Sequence, residues 1–295
     1  MKSTVFSSLA LLAAGSLLFT GCASSSQAAD GELQSITVGT SELGPVEDTI
    51  AQVAKEKGIK VEWQSFSDWT LPNQALANGE SDVNAFQHLA FLSVFNTAEQ
   101  QDITPVGSTV ITTMGLYSNK YDSVESLPQN ATVAVSNNAS HMARTLFMLE
   151  QAGLLKLAEN VGIYPTVDDI IENPKNIVFK PIVAQQLVTV FKDVDAIVVG
   201  STTIDQALSI PRDQALALDD ANAESAWPYV NIVAVRGEDA DSQLYKQFAQ
   251  TWQDQRVKDA VEADSKGNTV VVDVPVEKLR TTLEELEEVA RGLEK

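Results

Sequence analysis

Residues 36–64 read ITVGTSELGPVEDTIAQVAKEKGIKVEWQ, and this stretch decides the fold class. Its first four residues alternate between apolar and polar side chains, which predicts a short β-strand. Pro45 then begins a segment whose apolar residues recur at helical spacing, and Gly58 ends it. Residues 59–64 alternate again and predict a second strand. A strand, a helix and a strand in this order predict an α/β sheet with a crossover helix.

The same succession of elements continues along the chain. The pattern predicts strands at 83–86, 132–135, 177–179, 196–199, 229–235 and 269–274, and helices at 73–78, 140–153, 184–192 and 276–293. Because the succession restarts after Tyr117, we predict two lobes: residues 35–116 with 226–295 form lobe I, and residues 117–225 form lobe II. Open α/β sheets bind ligands beyond the carboxyl ends of their strands, so we expect a ligand cleft between the lobes.

The N-terminal segment has the pattern of a secretory signal. One charge, on Lys2, precedes an apolar stretch that is too short to span a bilayer comfortably, although a transmembrane anchor is the alternative. Residues 18–22, LFTGC, resemble a bacterial lipobox, in which the cysteine is acylated; Phe19 departs from it, since Leu is usual there. We therefore predict a signal peptide at 1–21, lipid attachment at Cys22 and a flexible tether at 22–34.

The composition is strongly acidic, with a formal net charge of −20 at pH 7. Such a surface argues against a nucleic-acid partner and against adhesion to anionic lipid, because both carry negative charge. Membrane attachment would then depend on the lipid on Cys22, the only cysteine in the chain. A catalytic thiol is the alternative for this residue, but no base neighbours it in the sequence.

Aromatic residues and one of the two histidines follow adjacent predicted strands. The residues concerned are Phe66, Trp69, Phe86, His88 and Phe91. Rings at such positions would line an apolar slot with a polar edge, while an ordinary core between the lobes is the alternative.

Two further stretches carry polar groups that suit a small zwitterion. Residues 136–144, SNNASHMAR, form a strand-to-helix junction, where we expect Ser140 to cap a helix whose free N–H groups attract carboxylates. Arg144, one turn into that helix, would clamp a carboxylate with two hydrogen bonds; a surface salt bridge is the alternative. Asn231 enters an apolar run, and a buried amide there would serve either the fold or a ligand ammonium group.

Three motifs resemble signatures of the NlpA/MetQ lipoprotein family: NAFQH at 84–88, ENPKN at 172–176 and PYVN at 228–231. The similarity runs from about residue 36 to about residue 262. Members of that family are the methionine-binding components of MetNIQ-type ABC importers. The resemblance implies a two-lobed periplasmic-binding-protein fold (type II-like), no cofactor and no enzymatic activity. It also implies an ABC permease and ATPase as partners, and a location in the cell envelope facing the periplasm or the exterior.

The resemblance also implies roles for individual residues. Arg144 would hold the α-carboxylate of an amino acid, Asn231 would help to hold its α-amino group, and the five residues of the aromatic set would surround its side chain. Several positions depart from the family. Thr112 stands where Tyr is common and Thr113 where Pro is common, while Trp69 and Phe91 each stand where Tyr is common. His141 replaces an Asn, and Ser201 (or Gly200, if the alignment shifts by one residue) stands where an Asn is usual. The expected ligand is therefore methionine, a related amino acid or a short peptide.

Three other functions remain open at this point. A metal-uptake lipoprotein would use His88 and His141, but zinc or manganese sites need further His or acidic ligands. An envelope enzyme is a second alternative, although the sequence contains no nucleophile elbow, phosphate loop or metal-ligand spacing. A purely structural or adhesive lipoprotein is the third, and it leaves the aromatic, Arg and Asn residues at cleft positions unexplained.

Overall fold

The computed structural model describes residues 33–220 and 224–293. The predicted signal peptide, Cys22 and most of the predicted tether lie outside the described residues. The strands are β1 (Gln34–Thr40), β2 (Ile59–Ser65), β3 (Val83–Asn84), β4 (Ile103–Ser108), β5 (Val110–Thr112), β6 (Met114–Tyr117), β7 (Thr132–Ser136), β8 (Lys156–Leu157), β9 (Ile170–Glu172), β10 (Val178–Ile182), β11 (Ala196–Gly200), β12 (Ala217–Leu218), β13 (Ile232–Arg236) and β14 (Thr269–Val271). The α-helices are α1 (Pro45–Glu56), α2 (Leu71–Ala77), α3 (Leu89–Glu99), α4 (Ala139–Gln151), α5 (Ser201–Leu208), α6 (Gln243–Ala249), α7 (Gln255–Ser265) and α8 (Val276–Leu293).

The first sheet has the strand order β2-β1-β3-β13-β4. Residues 36–64 form β1, α1 and β2 as predicted, and β1 is parallel to both β2 and β3. The helix α1 buries Ile50 and Val53 against Ile36 and Val38 of β1, because its apolar residues share one face. Gln34, predicted as the end of the tether, instead begins β1 and pairs with Ile59.

The second sheet has the strand order β10-β7-β11-β6-β12. The pairs β10–β7 and β7–β11 are parallel, whereas the pairs β11–β6 and β6–β12 are antiparallel. Residues 114–116, which the sequence assigned to lobe I, lie in β6 and hence in this sheet, because β6 pairs along its whole length with β11. Two separate sheets, each covered by its own helices, give the protein two lobes of α/β class.

The chain joins the two sheets through β5, which lies between β4 and β6 and pairs with β14. Polar contacts also join the two lobes, and we call three of them, between α5 and the end of α7 with β14, the cross-cleft contacts. Lys266 Nζ lies 2.7 Å from Asp205 Oδ2, Gln206 Nε2 donates to Asp264 Oδ2 at 2.8 Å, and the hydroxyl oxygens of Thr202 and Thr269 are 2.9 Å apart. The lobes therefore lie against each other at one end of the cleft.

Several local predictions from the sequence are wrong. Asn138, not Ser140, caps α4, because its side-chain oxygen accepts from the backbone N–H groups of Ser140 and His141. The predicted helix at 184–192 is a 3₁₀ segment, Ala184–Val190. The strand predicted at 229–235 begins only at Ile232, since Pro228 lies inside a 3₁₀ turn, Glu224–Tyr229. In the described part of the chain, no helix is both long enough and apolar enough to cross a membrane.

Candidate functional site

A cavity of about 720 Å³ lies in the cleft between the two sheets. Eight of the ten residues predicted for the binding site line it: Trp69, Phe86, His88, Phe91, Thr112, His141, Arg144 and Asn231. Most of them lie in loops and helices that follow strands, which is where α/β sheets bind ligands, whereas Thr112 ends β5 and Asn231 directly precedes β13. Three separate stretches of the sequence are thus brought together in one cavity.

The other two predicted residues do not line the cavity. Phe66 is half-buried and packs over Gly39, where an added Cβ would lie 3.5 Å from its ring. Ser201 is fully buried, and its hydroxyl accepts a hydrogen bond from the Tyr117 hydroxyl at 2.8 Å. Gly200, the alternative position, does line the cavity. In this structure Phe66 and Ser201 therefore contact other parts of the fold rather than the cavity.

Aromatic rings form one end of the cavity. Trp69 makes an edge-to-face contact with His141 at a centroid distance of 5.2 Å, and Phe86 makes one with Phe91 at 5.9 Å. Tyr229 belongs to the PYVN motif but was not among the predicted site residues, and its ring contacts that of His88 at a centroid distance of 5.3 Å. The rings make this slot apolar. Edge-to-face packing fixes the orientation of each ring, so the slot is also preformed.

The two histidines of the chain contact each other through their Nε2 atoms, which are 3.3 Å apart. His88 is the N-cap of α3, and its Nδ1 accepts the Phe91 backbone N–H at 3.0 Å. A neutral imidazole that accepts at Nδ1 carries its proton on Nε2. His88 therefore donates from Nε2 to Nε2 of His141, which leaves the His141 proton on Nδ1.

Both histidines are neutral near pH 7. Burial lowers the pKa of His88 well below its usual value, and the nearby His141 and Arg144 lower it further. Burial, followed by the charge of Arg144, lowers the pKa of His141 to about 4. The desolvation penalty thus outweighs any gain from protonation at this end of the cavity.

The hydrogen bonding of His88 argues against the metal-binding alternative. A histidine that binds a metal through Nε2 normally donates its other ring proton, from Nδ1, to an acceptor. Here Nδ1 of His88 faces a donor, the Phe91 N–H, so that tautomer would put two hydrogens against each other. Within residues 33–220 and 224–293, no group of three or more His, Cys, Asp or Glu side chains is placed to hold a metal ion.

Arg144 is buried at the floor of the site and is already paired. Its Nε and Nη2 both lie 2.6 Å from Oδ2 of Asp219, and Nη2 also donates to the Thr112 carbonyl at 2.7 Å. Its guanidinium carbon lies 4.8 Å from the centre of the Tyr229 ring, within the range of a cation–π contact. These contacts fix the guanidinium and leave Nη1 without a hydrogen-bond partner among the described residues.

Asn231 is held by its backbone and presents its side chain. Its N–H donates to the Val110 carbonyl and its carbonyl accepts from the Thr109 N–H, both at 2.8 Å, and it forms a β-bridge with His88. It lines the cavity, and its side-chain amide has no hydrogen-bond partner in the part of the chain that the structure describes. The sequence treated this amide as buried, but it is partly exposed to the cavity, where a ligand can satisfy it.

A network of three buried amides supports the NAFQH motif from behind. Asn73 donates to Gln87 at 2.7 Å, Asn84 donates to Asn73 at 2.7 Å, and Gln87 donates to Asn73 at 2.6 Å and to Asn84 at 3.0 Å. All three side chains are almost completely buried. The network fixes the loop that carries Phe86 and His88, so Asn84 and Gln87 have a structural role.

Replacing Asn73 with Ala is expected to lower the free energy of unfolding by about 2–3 kcal/mol, because it leaves amide groups of Asn84 and Gln87 buried without partners. Chemical denaturation measures the change. Asn78→Ala, at an exposed position at the end of the same helix, is the matched control and should change stability by less than about 0.5 kcal/mol. Equal effects of the two substitutions would contradict the role of the network.

The opposite end of the cavity is acidic. Glu42, Glu47 and Asp264 line it beside the start of α1. Burial raises the pKa of Glu47 to about 7, with smaller contributions from the carboxylates of Glu42 and Asp264. This grouping could not be predicted from the sequence, because Asp264 lies on α7, more than 200 residues from the other two.

The chain matches the model of the NlpA lipoprotein family over residues 36–272. It is 32% identical to the D-methionine-binding lipoprotein MetQ from Yersinia pestis over 273 residues, which are 91% of this chain and 98% of the relative. A nutrient binding protein from Burkholderia cenocepacia, solved bound to methionine, is 36% identical with a TM-score of 0.74, covering 80% of this chain and 99% of that one. The substrate binding protein of a methionine transporter from Streptococcus pneumoniae is 31% identical with a TM-score of 0.74, covering 81% and 95%. These similarities confirm the family resemblance of the three motifs and the two-lobed fold, and the chain belongs to the NlpA lipoprotein family.

Proposed function

We propose that this protein is the solute-binding lipoprotein of an ABC importer and that it captures methionine or a closely related zwitterion. The observation that carries the proposal is one cavity that combines a fixed guanidinium, a free amide and an aromatic slot, in Arg144, Asn231 and the rings around Phe91. The names of its relatives point the same way, since two are described as binding methionine or D-methionine and one as part of a methionine transporter.

In the proposed complex, Arg144 binds the ligand α-carboxylate through Nη1, the donor that Asp219 and Thr112 leave free. Asn231 accepts a hydrogen bond from the α-ammonium group. A thioether side chain then enters the slot formed by Trp69 and Phe91, where sulfur contacts with ring edges are favourable. Closure of the lobes removes water from these charge-assisted hydrogen bonds and strengthens them.

Thr112, His141 and Ser201, which depart from the family, have different roles in this proposal. Thr112 acts through its backbone carbonyl, which holds Arg144, and its side chain contacts the Thr269 hydroxyl at 2.9 Å. His141 extends the aromatic slot and accepts from His88. Ser201 contributes only indirectly, through Tyr117, so the adjacent Gly200 takes its place at the cavity surface.

The remaining features of the proposal concern the motion of the lobes and the place of the protein in the cell envelope. Lobe I and lobe II would move relative to each other about the segments that join the two sheets. A lipid on Cys22 would tether the protein to the membrane, facing the periplasm or the exterior, where it delivers ligand to an ABC permease and its ATPase. The protein would act as a binding component without enzymatic activity or a cofactor.

A ligand screen by thermal unfolding tests the proposal. A zwitterion that binds the native state at a concentration 100 times its Kd should stabilise the protein by about 2.7 kcal/mol. For a chain of this size, that corresponds to a rise in Tm of roughly 5–11 °C. The screen compares L-methionine, D-methionine, other amino acids and methionine-containing dipeptides, and mass spectrometry identifies any amino acid that co-purifies.

The outcome of the screen separates the proposal from its main alternative. A rise in Tm with methionine or a related zwitterion supports the proposal. If zinc and manganese raise Tm while every zwitterion leaves it unchanged, the protein is a metal-binding lipoprotein and the proposal is wrong.

A further inference from the structure

Asp219 stands behind Arg144 and is not among the residues that line the cavity. Its carboxylate is tied in place: Oδ1 accepts the Met114 N–H at 2.7 Å, and Oδ2 lies 2.6 Å from two nitrogens of Arg144. Its own N–H donates to the Met114 carbonyl at 2.9 Å, next to the pairing of β12 with β6. Asp219 is therefore a rigid, largely buried partner of the guanidinium, with a side chain that is 14% exposed.

This pairing removes the net charge from the floor of the site. The charges of Arg144 and Asp219 cancel, and among the described residues the guanidinium acts on His88, His141 and Tyr229. Burial keeps both histidines neutral, and it raises the pKa of the Tyr229 hydroxyl, which is buried with no hydrogen-bond partner among the described residues. The end of the cavity that would bind an amino-acid backbone thus carries a full positive charge and a full negative charge, which sum to zero.

A site of zero net charge treats ligands differently according to their own charge. A zwitterion brings one carboxylate and one ammonium group, so the end of the cavity that contains Arg144 and Asp219 gains no net charge when it binds. A ligand with a carboxylate alone would leave one negative charge buried without compensation, which is costly. Arg144 by itself would bind the carboxylate of either kind of ligand. The negative charge of Asp219 makes the binding of the carboxylate-only ligand less favourable than that of the zwitterion.

We propose that Asp219 is a positioning and specificity-determining residue that restricts the Arg144 site to zwitterions and excludes simple carboxylic acids. It acts through Arg144, by holding the guanidinium against the Thr112 carbonyl and by cancelling its charge. The inference rests on the proposed function, because it takes Arg144 as the group that binds the ligand carboxylate.

Isothermal titration of the full chain with two ligands tests the inference. The ligands are L-methionine and 4-(methylthio)butanoate, which has the same side chain and carboxylate but no ammonium group. The variant Asp219→Asn keeps the shape of the side chain and an oxygen for the Met114 N–H, but it leaves Arg144 without a counter-charge. The affinity for the anion relative to methionine should rise at least about tenfold in this variant, which is about 1.4 kcal/mol.

Asp195→Asn is the matched control. Asp195 lies in the same lobe and also accepts a backbone N–H, from Thr132 at 2.8 Å, and pairs with a cation, Lys120, at 3.3 Å. It lies outside the cavity, so its substitution should leave the ratio of the two affinities unchanged. An equal change of the ratio in both variants would show a general effect of lost charge and would overturn the inference.

The variant Asp219→Glu covers the case in which Asp219→Asn does not fold. It keeps the charge but displaces the guanidinium, so methionine affinity should fall while the preference for the zwitterion persists. A loss of that preference, or an unchanged methionine affinity, contradicts the inference. Binding by the wild-type chain is read separately: if it binds no zwitterion, the proposed function fails, whereas methionine binding with an unaltered ratio in Asp219→Asn refutes only the role of Asp219.

Discussion

Arg144→Met is expected to weaken methionine binding by at least about 100-fold and to lower the free energy of unfolding by about 3–5 kcal/mol. The loss of binding follows from the loss of the charge-assisted hydrogen bonds to the ligand carboxylate. The loss of stability has a separate cause, because Asp219 would remain buried without its partner. Isothermal titration measures the first effect and chemical denaturation the second.

The double variant Arg144→Met/Asp219→Asn separates the two effects. It removes both charges together, and Asn keeps an acceptor for the Met114 N–H, so most of the stability should return. Binding should not return, since no guanidinium is present. If the double variant binds methionine as the wild type does, Arg144 does not bind the carboxylate.

Lowering the pH from 6.5 to 4 is expected to remove about 3 kcal/mol of stability through the histidine pair. The pKa of His141 is about 4 in the folded protein and that of His88 is also depressed, whereas unfolded histidine titrates near 6.5. The unfolded state therefore binds more protons over this range, so the contribution is fully present above pH 6.5 and is lost as the pH falls towards the folded pKa values. The expected size is below the full linkage value, because His141 is only half-buried.

Glu47 opposes this effect and has to be separated from it. Its folded pKa of about 7 is raised, so it favours the folded state as the pH falls from 7 towards 4.5. Denaturation curves for the wild type and for His141→Asn isolate the histidine term, since Asn accepts from His88 Nε2 but does not titrate. The stability difference between the two proteins should shrink by about 2 kcal/mol between pH 6.5 and pH 4. Parallel pH profiles would show that the pair does not titrate as described.

Local patterns in the sequence predicted most of the first sheet, and eight of the ten residues predicted for the binding site lie at the cavity. Residues 36–64 carry their own periodicity and turn residues, so β1, α1 and β2 follow from neighbouring residues alone. Arg144 and Asn231 could be predicted because each has a distinctive polar group at a recognisable place, Arg144 at a strand-to-helix junction and Asn231 in the PYVN motif. Such features do not depend on distant parts of the chain.

The parts that the sequence did not predict depend on long-range packing. Asp219 lies 75 residues from Arg144, and only the pairing of β12 with β6 brings the two together. The contact between His88 and His141 likewise joins residues from different lobes, at the start of α3 and in α4, so neither tautomer follows from the sequence. Ser201 is adjacent to Gly200, which lines the cavity, and alignment of the sequence to the family could not distinguish these two positions.

In the proposed cycle of lobe opening and closure, the cross-cleft contacts would favour the closed arrangement before any ligand arrives. They lie where the lobes meet, and each would stabilise that arrangement by about 0.5–1.5 kcal/mol, as for a typical hydrogen bond. Apparent affinity scales with the fraction of molecules in the competent arrangement, so weakening these contacts would raise the apparent Kd without altering any atom that touches the ligand. In that cycle the same bonds would break before the ligand leaves, so they would help to set its residence time as well as its capture.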